Sequence, residues 1–535
     1  MLSLKFSRPD LLRTLLQSLL LLVAGLANTL AFAPYEMTAL PLCTLALLSL
    51  VLFQCQSTGK AAWFGFIYGV GWFGLGVSWV HVSIAAFGGM PLVASLGIMA
   101  LLVAYLSLFP ALAAWLSCHP RLNATTSTGK HPLKHPLWWP LLLASSWVLA
   151  ENLRSWLFTG FPWLSLGYSQ TEGFLAPYAP LIGETGITFI MVFAGASLML
   201  LVHKQWRMAL VAAVLLLASP LLSQLKGWQL LDEKVSVALV QGNIKQELRW
   251  APEQELPTMK KYMQLTKPHL QQQIIVWPEA AIPQLEPLAQ AYLFNLDMQA
   301  AENNSAVITG ILDYKRNNDA YNGMIVLGKS GTAATAGDYI YETRNRYQKH
   351  QLLPIGEFVP FERLLRDIAP FFDLPNSSFA RGDWQQPNLQ ANGYQLLAAL
   401  CFEIVFPRQI QANFTDDTDF LLTVSNDAWF GSSIGPLQHM QIAQMRALEF
   451  GRPLLRATNN GVTGIVLPDG KLQAVLPQFE DGVLAADVQL ATGRTLYSKT
   501  GDWPLLMLAG LLLLWIGFSS WRQQRQLERN IKDEG

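Results

Sequence analysis

Charge is what this 535-residue sequence has least of: Asp, Glu, Lys and Arg make up 14% of it, against about 25% in an ordinary soluble protein. With 51% hydrophobic residues and a mean hydropathy of +0.27, the chain is too apolar to be water-soluble throughout. Lys+Arg and Asp+Glu stand at 37 each, so no basic field points to nucleic acid or acidic partners. Four cysteines do not make a disulfide framework, and the composition also excludes disorder and collagen. HExxH and paired-cysteine motifs are absent, which leaves zinc chemistry without sequence support. There is no internal repeat.

The charge that is present is unevenly spread. Residues 1–230 hold sixteen charged side chains, about 7%, and residues 231–535 hold fifty-eight, about 19%, close to a soluble domain's share. The first part reads as membrane spans, since about 20 apolar residues cross a hydrocarbon core at 1.5 Å per residue. Seven candidates lie at 11–31, 38–54, 61–86, 91–117, 138–151, 174–203 and 206–225, and an eighth at 503–521, with Trp503 and Trp521 at its ends, where amphipathic rings favour the interface.

Basic residues fall in alternate connections. Lys5, Arg8 and Arg13, then Lys60, then Arg121, Lys130 and Lys134, then Lys204 and Arg207, then Arg522, Arg525, Arg529 and Lys532 mark one side. The loops near 32–37 and 86–91 have no Lys or Arg, and 152–173 has only Arg154. Eight spans with both termini cytoplasmic satisfy this bias, which puts the polar stretch 226–502 outside and leaves 522–535 as a cytoplasmic tail. The first span could be mistaken for a secretory signal ending in Ala31-Phe32-Ala33. Its length, Pro34 just beyond, and the topology its removal would upset all favour a retained span.

From Val235 the pattern changes to short β-rich runs separated by helical stretches. Residues 235–243, 273–279, 306–312, 322–328, 394–403, 419–427 and 453–467 read as strands, and 252–272, 286–303 and 435–450 as helices, an α/β layout. Three reactive side chains stand just after such strands or in a loop between them, where α/β sheets expose their functional groups. Glu279 ends IIVWPEAAIP; an arbitrary strand-end Glu is usually a solvated carboxylate, but this apolar setting is expected to raise its pKa toward that of a general base. Lys349, in NRYQKHQLLPIGEFVP, is ordinary surface lysine unless Glu357 orients it, in which case it would stabilise an oxyanion. Cys401, the one cysteine outside the candidate spans and their ends, closes YQLLAAL. It is either a buried core thiol or a nucleophile that needs a partner to take its proton.

Taken in order, WPEAAIP, YQKHQLLPIGEFVP, LCFEIVFP and TVSNDAWFG resemble the carbon-nitrogen hydrolase (nitrilase) superfamily. With the flanking spans and GPLQHMQIAQMRALEFGRPLLRATNNGVTG at 435–464, the resemblance narrows to the apolipoprotein N-acyltransferase family and covers essentially the whole chain. That resemblance implies a nitrilase-like four-layer αββα sandwich for 226–502, with Glu279 as general base, Lys349 as oxyanion stabiliser and Cys401 as nucleophile. It assigns Glu357, Glu403 and Trp250 to the surroundings of the triad. Phe402 stands where a Tyr is common, so a hydroxyl is missing there. The implied reaction moves the sn-1 acyl chain of a phospholipid, phosphatidylethanolamine being the usual donor, through a cysteine thioester. The acceptor is the α-amino group of an apolipoprotein's N-terminal diacylglyceryl-cysteine. No cofactor, metal or nucleic acid is involved, and the expected location is the bacterial inner membrane with a periplasmic catalytic domain. The apolar segment around Leu364, Leu365, Phe371 and Phe372 is a candidate lid toward the bilayer, or else core packing. A membrane-held amidase with the same triad and a transporter with an outer domain are the rival readings. Seven spans beyond a tether's one, and the scarcity of charge within them apart from Glu151 and Glu184, weigh against both.

Overall fold

The computed structural model describes residues 8–533 other than 88, 120–121, 123–124, 127–132, 135–137, 316–318, 332–333, 335, 355 and 359–378. It divides into two compact units, Met1–Leu225 with Asp502–Gly535, and Lys226–Gly501.

The first unit is helical. Among the described residues, five helices are long and apolar enough to cross a membrane: Asp10–Ala31, Leu92–Ser117, Ala176–His203, Arg207–Leu225 and Trp503–Arg522. The stretch expected to be one span at 61–86 forms two helices, Thr58–Gly76 and Val80–Ala86, bent by 52°. The break follows Gly76 and contains Ser78, and Gly and Ser are common kink sites. Counting that pair as one gives six. The remaining expected spans form shorter helices, Leu40–Gln54 and Trp139–Arg154. Arg154, the lone basic residue of its connection, is 1% exposed. Its guanidinium donates to the carbonyls of Phe161 and Trp163 at 2.8 and 2.6 Å and pairs with Glu151 at 3.5 Å. The Ser165 hydroxyl lies 2.9 Å from the Glu151 carboxylate and 2.7 Å from that of Glu184. The two acids noted in the sequence thus share one polar cluster.

Among the described residues the second unit has twelve strands: β1 (Trp228–Gln241), β2 (Ile274–Val276), β3 (Ala306–Tyr314), β4 (Ala320–Gly328), β5 (Arg346–Gln348), β6 (Leu389–Ala391), β7 (Tyr394–Leu400), β8 (Phe420–Ser425), β9 (Leu454–Thr458), β10 (Gly464–Val466), β11 (Leu472–Val475) and β12 (Gly482–Gly493). They form two six-stranded sheets, ordered β12-β1-β2-β3-β4-β5 and β11-β10-β9-β8-β7-β6. Each is parallel at its centre, over β1-β2-β3 and β7-β8-β9, and antiparallel at its flanks.

The continuous apolar runs of the central strands follow from burial on both faces. Successive side chains point to opposite faces, and Val235, Val237 and Leu239 of β1 join Ile274, Val276 and Ile308 in a cluster shared with Leu396, Leu400, Leu422 and Val424 of the other sheet. Ala238, Val240, Ile275 and Val307 point the opposite way, onto Met259 and Tyr262 of helix Glu255–Thr266 and Leu293, Leu296 and Ala300 of helix Gln290–Glu302. The two sheets therefore share one core, and the first is covered outside by helices.

The segment 453–467, read from the sequence as one strand, is two antiparallel strands, β9 and β10. Asn459-Asn460-Gly461 turns the chain between them, and turn residues override a β-rich run. The Thr463 hydroxyl closes the turn by accepting from Thr458 N–H at 3.1 Å.

Candidate active site

Glu279, Cys401 and Asn426 all follow the C-terminal ends of central parallel strands, β2, β7 and β8. This is where parallel sheets leave room for chemistry. Two of the backbones there are strained: Ala280, next to Glu279, has φ +44, and Cys401 has φ +52, values that cost a non-glycine residue about 1–3 kcal/mol and cluster at functional sites.

The Glu279 carboxylate is buried at 8% exposure and held at both oxygens. Oε1 accepts from Asn322 Nδ2 at 2.7 Å and lies 3.5 Å from Lys349 Nζ; Oε2 accepts from the Asn426 N–H at 2.9 Å. Arg249 donates to the carbonyls of Glu279 and Ala280. Lys349, 2% exposed, donates to Glu357 Oε1 at 2.9 Å, and Asn322 Nδ2 reaches the same oxygen at 3.0 Å. The other Glu357 oxygen accepts from Leu353 N–H at 2.8 Å. The structure thus brings Glu279, Lys349 and Glu357 into one buried chain of charges.

The electrostatics correct one expectation. Burial alone would raise the Glu279 pKa, as its apolar sequence neighbours suggested, but Lys349, Arg249, Asn322 and the Asn426 N–H together outweigh burial and hold it below the ordinary 4.5. Burial pulls Lys349 down, and Glu357 and Glu279 more than reverse it, so the ammonium stays charged. Cys401 is a free thiol pushed up to about 12, first by burial and then by Glu279, with Lys349 only partly compensating. The resting arrangement is a carboxylate and an ammonium facing a neutral thiol. This calls for a general base at the moment of attack rather than a standing thiolate.

Glu403 is fully buried at 0%. It accepts from the N–H groups of His350, Gln351 and Leu400 at 2.8, 2.9 and 2.7 Å, from Tyr347 Oη at 2.8 Å and from Gln409 at 2.8 Å. It ties the chain beside Lys349 to the strand end that carries Cys401. Trp250 is 43% exposed, with the Arg249 guanidinium 5.6 Å from its ring; Arg249, its neighbour in sequence, makes the contact to the Glu279 backbone. Phe402 is buried against Phe406, ring centroids 5.2 Å apart. Leu364, Leu365, Phe371 and Phe372 lie outside the described residues.

Sequence reading missed Asn322, Arg249 and Asn426. Asn322 and Asn426 carried a weak signal, as amides at the ends of the apolar strand runs NGMIVLG and DFLLTVSND; Arg249 carried none. Gly310 was missed as well. It sits on β3 directly behind the general-base candidate, and a methyl there would meet Glu279 Cα at 2.6 Å and Pro278 O at 2.7 Å. Backbone cannot yield as a flexible side chain does. Gly310→Ala should therefore displace Glu279 and cut turnover on the order of a hundredfold while the protein still folds. Steady-state transfer measured beside thermal unfolding checks this, and full activity in the variant would refute the positioning role of Gly310.

Comparison with known proteins covers both units. The carbon-nitrogen hydrolase family profile matches residues 236–497, and the profile of the apolipoprotein N-acyltransferase N-terminal domain matches residues 24–197. The sequence is 46% identical over 508 residues to the apolipoprotein N-acyltransferase of Vibrio vulnificus, covering 94% of this chain and 96% of that one. It is 48% identical over 519 residues to that of Shewanella oneidensis, covering 96% of each. Among solved structures, Saccharomyces cerevisiae Nit3, a member of branch 10 of the nitrilase superfamily, is 15% identical with a TM-score of 0.35, covering 52% of this chain and 97% of that one.

Proposed function

Since the chain belongs to the apolipoprotein N-acyltransferase family, we propose that Cys401, Glu279 and Lys349 carry its acyl transfer in two half-reactions. Glu279 takes the thiol proton as Cys401 Sγ attacks the ester carbonyl of a phospholipid's sn-1 chain. Lys349 steadies the tetrahedral oxyanion, the C–O bond breaks, and Glu279 returns the proton to the departing lysophospholipid oxygen. The thioester is then attacked by the α-amino group of a diacylglyceryl-cysteine at the N-terminus of an apolipoprotein. Glu279 accepts the amine's proton, the C–S bond breaks and the thiol is restored. Phosphatidylethanolamine is the proposed donor.

The observation that carries this reading is the buried pairing of Glu279 with Lys349 at 3.5 Å, with Glu357 on the far side of the ammonium at 2.9 Å, beside a thiol kept neutral by its burial. An ionised base and a fixed cation both act on the charge state of the nucleophile, and the proposed reaction needs both. In this reading residues 226–502 form a four-layer αββα catalytic domain on the periplasmic side. Eight spans from 1–225 and 503–521 hold it at the inner membrane, with both termini, including the tail 522–535, in the cytoplasm. The membrane body has a chemical reason. Drawing a sixteen-carbon chain into water at about 0.8 kcal/mol per CH₂ would cost on the order of 12 kcal/mol, so the catalyst must meet both lipid-anchored substrates at the bilayer.

The test is intact-protein mass spectrometry after incubation with labelled phosphatidylethanolamine, followed by addition of a diacylated lipopeptide. An acyl adduct mapped to Cys401 and discharged onto the lipopeptide is the expected result. No adduct, or one on another residue, would refute the mechanism; an adduct that only water discharges would make the reaction a phospholipid hydrolysis rather than a transfer.

A further inference from the structure

A second set of buried polar groups lies behind the nucleophile, and the two half-reactions above do not use it. Ser425 ends β8, Asp427 opens the turn that follows, His439 lies in helix Gly435–Phe450, and Arg456 lies in β9. None of the four is more than 1% exposed.

Their contacts converge on one carboxylate. Arg456 Nη2 donates to Asp427 Oδ2 at 2.8 Å, the Ser425 hydroxyl donates to Oδ1 at 2.5 Å, and His439 Nδ1 lies 3.2 Å from the same Oδ1. The other ends of two of these side chains reach Cys401: Ser425 Oγ is 3.2 Å from its Sγ, and His439 Nε2 is 3.1 Å from its carbonyl oxygen. Strand register produces this convergence. Val424 is opposite Leu400 in the parallel pair β8-β7, so the next residues, Ser425 and Cys401, leave adjacent strands side by side. Thr423 is opposite Arg456 on the other neighbour. The carboxylate fills its niche, since a Cβ on Gly461 would collide with it.

Proton counting gives the arrangement a use. Ser425 has one hydroxyl hydrogen and two acceptors within reach, the Asp427 carboxylate and the Cys401 sulfur. While the thiol is protonated, the carboxylate is the stronger acceptor. Once sulfur carries negative charge it competes, and Asp427 keeps Arg456 Nη2 at 2.8 Å, so its own charge is not stranded when the hydroxyl turns. We propose that Ser425 is a further catalytic residue, donating its hydroxyl hydrogen to the Cys401 sulfur as the C–S bond breaks in thioester discharge, with Asp427, His439 and Arg456 as the positioning residues that hold it ready. In that step the electron pair of the C–S bond goes to sulfur, the amine's proton goes to Glu279, and Ser425 rotates from Asp427 Oδ1 to Sγ without losing its own proton. Glu279 then protonates the thiolate, and the hydroxyl returns to Asp427. His439 holds the Cys401 carbonyl, and through it the φ +52 backbone that aims the sulfur.

This inference rests on the acyl-enzyme reading, and its test separates the two. On the detergent-solubilised full-length protein, single-turnover rates of thioester formation from labelled phosphatidylethanolamine and of its discharge by a diacylated lipopeptide are measured for wild type, Ser425→Ala and Ser425→Thr, with thermal unfolding alongside. Ser425→Ala is expected to discharge the thioester about ten- to a hundredfold more slowly, the worth of a hydrogen bond to a charged group, with the lipopeptide KM unchanged. Its Cys401 should react correspondingly more slowly with iodoacetamide. Ser425→Thr, which keeps the hydroxyl, should restore both rates. A Ser425→Ala thioester discharged at the wild-type rate overturns the role of Ser425 alone, as does a loss confined to KM or to unfolding temperature. A wild-type chain that forms no thioester overturns the acyl-enzyme reading itself.

Discussion

Cys401→Ala should transfer no acyl chain and retain no acyl adduct, a fall in turnover on the order of a millionfold, comparable with deleting the nucleophile of other covalent catalysts. The argument is chemical rather than structural. Alanine keeps the Cβ and can be held in the same positive-φ backbone, where the carbonyl is fixed by His439 Nε2 at 3.1 Å and the preceding N–H by Glu403 at 2.7 Å. Unfolding temperature should therefore change by no more than a few degrees, while the atom that forms the thioester is gone. Radiolabelled phospholipid followed on a gel and into a lipopeptide measures both stages at once. Retention of label on the Ala variant would move the nucleophile elsewhere.

Glu279→Gln should reduce acylation by about 10²–10⁴, the usual contribution of a positioned general base. The amide matches the carboxylate in size but not in hydrogen bonding. Asn322 Nδ2 and Asn426 N–H both donate to Glu279, so one of them would meet an NH₂ instead of an oxygen, and Lys349 would keep only Glu357 as its partner. The sign of the pH dependence follows from the direction of the shift. A carboxyl held below its ordinary 4.5 stays ionised as the pH falls toward that value, so the wild-type acylation rate should be level from neutral pH down to about pH 5, with the acid limb below. A limb centred near pH 6 would mean that the carboxyl is raised by its apolar surroundings, and would refute the charge network described above.

That network shows where sequence reading succeeds and where it stops. Glu279 and Cys401 were legible because each ends a run of residues apolar on both faces, and such runs mark central strands of a parallel sheet. Lys349 was legible only with Glu357 eight residues on, within reach of its ammonium. The direction of the Glu279 shift was misread because the local string WPEAAIP contains no charge. Lys349 and Arg249, the cations that reverse it, arrive from the end of β5 and from the turn Gln246–Leu248 beyond β1. Asn322, Asn426 and Ser425 were passed over as strand residues, although each stands at a place where a polar group enters an otherwise apolar interior.

The scarcity of charge in residues 1–230, the change of composition near Val235 and the order of the reactive segments are properties of the chain alone. They determined that it has a part of long apolar helices and an α/β part, and which residues were candidates for the chemistry, because apolar periodicity and strand-end position are local facts. Tertiary structure decided the rest. Which groups the fold brings together, which way each pKa moves, and that Ser425 and His439 each lie within reach of both Asp427 and Cys401 depend on distances of about 3 Å between elements separated in sequence. Electrostatic and hydrogen-bond energies fall off over such distances, and only strand register brings those residues within them.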